Sequence, residues 1–182
     1  MKKLSKILSV TTLGLFLFTG CGYKTDTYTP SLKIKNSSFQ NKVAINYGND
    51  AVTVDMPEGV LCSLRSTVNM PNGDTIDKYI EDAFISELKL NNLYDENSKQ
   101  LINIIVTDVT TSSMFGFSYW EFDATVKTQS GYGYKVSSKY EFDGHPKKDE
   151  ACMHLSASFK PAVKKLLSEV VTHPSFDTLF NK

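Results

Sequence analysis

The stretch FSYWEFDATVKTQSGYGYKVSSKYEF, residues 117–142, decides the fold. Trp120, Phe122, Ala124 and Val126 alternate with Glu121, Asp123, Thr125 and Lys127. Tyr134, Val136, Tyr140 and Phe142 alternate in the same way with Lys135, Lys139 and Glu141. Strict period-two patterning with one apolar and one polar face predicts antiparallel strands, 117–127 and 132–142, whose second face is wet. The register follows from the faces. A two-residue loop, Ser130-Gly131, sets Val136 against Thr125 and mismatches them. A three-residue loop, Gln129-Ser130-Gly131, sets Val136 against Ala124, Tyr134 against Val126 and Tyr140 against Trp120. That loop places Gly131 where a left-handed bulge residue is required, and a slip of one residue would turn an apolar face to water.

Outward from this hairpin, 101–109 (LINIIVTDV) reads as a preceding strand. Met114-Phe115-Gly116-Phe117 falls at the turn between it and the next. The favoured reading folds Met114 and Phe115 back over the core. The alternative presents Met114, Phe115 and Phe117 to a partner or to lipid. The tyrosines of the 132–142 strand read as core rather than as a ligand platform.

Upstream, Ile76, Tyr79, Ile80, Ala83, Phe84 and Leu88 recur at helical spacing, with Lys78, Glu81, Asp82 and Glu87 off the stripe. Asp74 or Thr75 is the N-cap, Asp77 suits the first turn, and Asn91-Asn92 ends the helix. A second helix spans about 149–171, lined by Cys152, Leu155, Phe159, Val163, Leu166 and Val170. Pro161 predicts a kink or break near Phe159. Phe176, Leu179 and Phe180 form a short docked tail. Residues 32–70 read as β structure: Leu32, Ile34 and Phe39, then Val43 and Ile45, then Val52 and Val54. A strand 61–68 follows, with Cys62, Leu64 and Ser66 on one set, and Asn49-Asp50 and Pro57-Glu58-Gly59 supply turns. The expected class is α+β, an antiparallel sheet with two helices packed on one face.

At the other end, MKKLSKILSVTTLGLFLFTGC, residues 1–21, has the basic start and apolar run of an export signal, too short for a bilayer span. Thr19-Gly20-Cys21 resembles a bacterial lipobox, with Phe18 where leucine is usual and Leu17 one place early. The resemblance implies cleavage before Cys21 and lipidation of its sulfur and amine. The alternative is an ordinary signal with an incidental cysteine. The division is then 1–20 signal, 21–31 lipid anchor and polar tether, and 32–182 one domain. Such a tether reaches at most about 30 Å. Gly22 in place of an aspartate favours the outer membrane.

The whole chain carries 20 basic and 20 acidic residues. Loss of Lys2, Lys3 and Lys6 leaves 17 against 20, no footprint for nucleic acid. Two further cysteines, Cys62 and Cys152, in an exported chain read as a disulfide closing about ninety residues. Two buried free thiols are the alternative. His145, His154 and His173 are scattered, and neither a metal-ligand spacing nor a nucleophile elbow is present. Cys152 and His154, two apart on a helix, face different ways. No catalytic residue, metal or cofactor is therefore expected.

The segments KYIEDAFISELKLNNLYD (78–95), KYEFDG (139–144) and ACMHLSASFKPAVKKLLSEVVTHPSF (151–176) resemble a family of small uncharacterised Gram-negative envelope lipoproteins. The resemblance covers about 60–180. In that family a cysteine before the first helix and another at the start of the last recur, matching Cys62 and Cys152. At the level of fold the chain is also similar to the lipopolysaccharide-assembly lipoprotein of the outer membrane and to auxiliary lipoproteins of lipid-moving ABC systems. The anchor, the short tether and the missing catalytic constellation lead to the expectation of a non-enzymatic lipoprotein of the envelope, an accessory or assembly factor binding an envelope protein complex. A lipid- or glycan-binding module is the second expectation. Neither likeness carries over a site residue beyond Cys21 and the cysteine pair.

Overall fold

The computed structural model describes residues 22–34, 42–45, 57–63 and 66–179. The expectations for 1–20, Cys21, Phe39, Asn49-Asp50, Val52, Val54, Leu64 and Phe180 lie outside them. The fold is α+β. Its elements are β1 (Gly22–Lys24), β2 (Ala44–Ile45), β3 (Gly59–Ser63), β4 (Ser66–Asn69), α1 (Ile76–Leu90), β5 (Leu101–Met114), β6 (Phe117–Thr128), β7 (Gly133–Glu141) and α2 (Lys148–Thr172).

There are two sheets where one was expected. One has the order β1-β4-β3 and the other β2-β5-β6-β7. Neither is wholly antiparallel, because β1 pairs parallel with β4 and β2 parallel with β5. The alternation of Val43 and Ile45 did not reveal this. Val43, Ala44 and Ile45 are all buried, as befits a strand covered on both faces. The expected strand 61–68 is instead two, β3 and β4, paired antiparallel with Leu61 opposite Thr67 and an irregularity between Leu61 and Ser63.

The decisive hairpin has the expected register, with Val136 opposite Ala124, Tyr134 opposite Val126 and Tyr140 opposite Trp120. Thr128 N–H donates to Tyr132 C=O (2.7 Å) and closes the loop Gln129-Ser130-Gly131. Gly131 has φ +85°, a conformation that costs any other L-residue. β5 runs further than 101–109, to Met114, because the ladder slips between Val106 and Asp108. Ile102, Ile104 and Val106 face inward before that bulge. After it the inward set is Val109, Thr111 and Ser113, opposite Phe122, Trp120 and Ser118. One extra residue restores the face that a strict period would lose.

The core forms where helices and strands meet. Phe159 of α2 lies 4.9 Å from the Trp120 ring and 6.1 Å from Phe122 on β6, and 5.0 Å from Tyr79 on α1. Trp120 Nε1 donates to Ser158 Oγ (3.0 Å) and Leu155 C=O (3.2 Å), so its buried polar edge is satisfied. α2 shows no break at Pro161. The carbonyl that Pro161 leaves without a donor is that of Ala157, an exposed residue open to water. The tail is docked as expected, with Phe176 and Leu179 buried in successive turns.

Residues 22–31 are not a free tether. Gly22–Lys24 is a strand, Thr25 is buried, and Tyr28 packs on the core. The cause is Glu87, expected off the helix stripe and in fact fully buried. Its carboxyl accepts from Tyr28 O–H (2.6 Å), Ser31 N–H (3.0 Å) and Leu32 N–H (2.9 Å). One turn on, Asn91 accepts from Ile34 N–H (3.0 Å) and donates to Leu32 C=O (3.0 Å). The outward side of α1 thus supplies the partners that an irregular segment needs for its backbone. Burial, then the bond to Glu87, holds the Tyr28 hydroxyl proton well above the usual phenol range.

Candidate functional site

The site is the β5–β6 hairpin tip and the groove beside it. Met114 pairs with Phe117, so the loop is Phe115-Gly116. Met114, Phe115 and Phe117 are 69%, 68% and 75% exposed. The favoured fold-back over the core is therefore wrong. The register explains it: Ser113 and Ser118 take the inward positions at the tip, leaving Met114 and Phe117 on the outer face.

The groove measures about 650 Å³ and runs from Phe115 and Phe117 along Tyr119 and Lys139 to Glu141 and Phe142. Its floor is ordered by charge and ring. Lys139 Nζ sits 4.4 Å above the Tyr119 ring and 3.6 Å from Glu141 Oε1, a cation–π contact beside an exposed ion pair. Gly144 closes one wall. A Cβ there would meet Ser118 Oγ at 2.1 Å and Met114 C=O at 3.1 Å, so only glycine lets the segment after β7 lie against the tip. Such a surface offers apolar area and one paired cation to an extended or planar ligand.

Cys62 and Cys152 are joined, with Cα atoms 5.6 Å apart. The link ties β3 to the first turns of α2, close to the tip, since Ser113 Oγ donates to Cys62 C=O (3.2 Å). His145 and His154, scattered in sequence, come together with ring centroids 5.8 Å apart. His154 Nδ1, on α2, lies 2.7 Å from Asp143 C=O in the segment after β7, and His145 Nδ1 accepts from Lys147 N–H (3.2 Å), so each has a ring nitrogen occupied by a backbone group. No cluster of three metal-ligating side chains occurs among the described residues. His173 stacks on Tyr134 at 4.1 Å, and Tyr134 O–H donates to Val170 C=O (2.8 Å). Tyr134 is thus core and Tyr140 packs against the core, as expected of the tyrosines on that strand, but Tyr132, at the turn, is exposed and corrects that expectation.

Tyr119, Lys139 and Phe142 were missed as groove residues. A signal existed, since Phe117 and Tyr119 are two aromatics on the otherwise polar wet face of β6. Cys21 lies outside the described residues.

Among solved structures the chain is similar to protein XCC0632 from Xanthomonas campestris, assigned to family DUF330. The TM-score is 0.51, with 86% of this chain and 98% of that chain covered at 11% identity. At that identity the likeness is one of fold. No family model and no curated protein matches the chain.

Proposed function

We propose that this is a non-enzymatic lipoprotein of a bacterial envelope, anchored through Cys21, on the outer membrane rather than the inner, and serving as an accessory subunit that binds an envelope protein. The observation that carries the binding role is the groove, where Tyr119, Lys139 and Phe142 line a surface that the fold itself leaves open. The basic and apolar signal and the lipobox-like Thr19-Gly20-Cys21 support the anchor. Lipid or glycan is the second reading, favoured by the aromatic rim of Phe115 and Phe117.

The test is purification of the full protein from its own membranes in mild detergent, beside a Tyr119→Ser/Lys139→Glu double variant. A protein that co-purifies in fixed ratio with the native chain and is lost from the variant supports the reading. Recovery of lipid or glycan alone moves the assignment to the second reading. A partner retained equally by the variant removes the groove from the account.

A further inference from the structure

We infer that the hairpin tip, with Leu61, is a membrane-contact surface, and that the domain rests on the same lipid surface that holds Cys21. This builds on the anchor proposed above and adds an orientation to it. Backbone pairing begins at once. Gly22, the residue after Cys21, is in register with Thr67 of β4, and Thr67 is opposite Leu61 of β3. There is no slack between residue 22 and the folded domain, so a lipid on Cys21 would hold this end of the domain at the bilayer.

The tip lies at that same end. Ser113 Oγ bonds to the carbonyl of Cys62, next to Leu61 on one strand and next to Met114 on the other. The start of α2 is there too, through the Cys62–Cys152 link and through Tyr23 O–H, which lies 3.4 Å from Asp149 Oδ1. Most of the large apolar side chains exposed among the described residues follow this polarity, with Met153 on the first turns of α2; Leu90, on the last turn of α1, and Tyr132 stand apart from it. Among the described residues, Leu61 (71%), Met114, Phe115 and Phe117 gather at the end where the chain meets residue 21. The opposite turn of the hairpin pair offers only Tyr132. Aromatic and aliphatic side chains at one end, without a charged residue between Met114 and Phe117, suit insertion about 5–10 Å into the boundary between headgroups and acyl chains. The groove floor of Tyr119 and Lys139 would then open just above the lipid surface.

The test uses the full protein, purified from membranes and reconstituted in vesicles of phosphatidylethanolamine and phosphatidylglycerol brominated near the headgroup end of the acyl chains. Phe115→Trp and Phe117→Trp report the tip, and Lys135→Trp reports the far end. The native Trp120 is buried and common to all three. The expected result is strong quenching and a blue shift at both tip positions, with Lys135→Trp unquenched. Tip probes quenched no more than Lys135→Trp would overturn the inference. The intact mass of the same samples reads the anchor separately. If Cys21 carries no acyl groups, the lipoprotein reading fails, while the quenching still decides the tip.

Discussion

Strand β6 ends in two turns of opposite character. At one end Gln129-Ser130-Gly131 is polar and closed upon itself, with the Thr128 and Ser130 hydroxyls 2.9 Å apart and Gly131 N–H bonded to Thr128 C=O. At the other, Phe115-Gly116 is flanked by Met114 and Phe117, all three large side chains in water. The same sheet supports both, so hairpin formation itself does not call for apolar residues at a tip. The polar turn is explained by its local geometry alone. The apolar turn is not, and the membrane contact inferred above would give its side chains a use. The supports differ as well. The apolar end is stapled by Cys62–Cys152 and joined by the strand that starts at Gly22, while the polar end is held without a crosslink, by the hairpin ladder, by β2 beside β5 and by Tyr134 against Val170 and His173.

The largest expected effect breaks the staple. Cys62→Ser with Cys152→Ser removes a crosslink spanning 90 residues and should cost about 3–5 kcal/mol in urea unfolding. Equal stability with and without reductant in the native protein would mean that the apolar end needs no staple. Next comes the clamp that draws the N-terminal segment onto α1. Glu87→Ala leaves the Tyr28 hydroxyl and the Ser31 and Leu32 amides without their acceptor. A loss of about 2–3 kcal/mol is expected, with faster hydrogen exchange at the Ser31 and Leu32 amides and little change in β6. Exchange that rises uniformly across the domain would deny the clamp its local role.

Gly131→Val tests the polar turn, where a β-branched residue at φ +85° should cost about 1–2 kcal/mol. The smallest effect sharpens the contrast most. Phe115→Ser should shift stability by no more than about 0.5 kcal/mol, as should Tyr132→Ser at the opposite turn. Only Phe115→Ser should weaken binding to vesicles in a flotation assay. A large loss of stability from Phe115→Ser would return that ring to the core.

The β6–β7 pairing was legible because two strands carried full alternations joined by one loop, so a single register buried both faces. The end of β5 was not. Its apolar set moves from Ile104 and Val106 to Val109 across a bulge, and a period-two reading stops there. The partners of Glu87 lie more than fifty residues upstream, so helical spacing alone placed it on the outer face. Of the candidate site, the tip residues Met114, Phe115 and Phe117 could be named from composition and turn position, while the groove residues Tyr119, Lys139 and Phe142 could not. Whether they folded inward depended on Ser113 and Ser118 holding the inner positions, which only the register through the bulge reveals.

The most direct test compares the two ends of the hairpin pair in living cells, with photo-crosslinking residues placed singly at Phe115 and at Lys135. Adducts to envelope lipid or protein at Phe115, with Lys135 silent, are the predicted result. Adducts at Lys135 with none at Phe115 would contradict the account and put the working surface at the opposite end of the molecule.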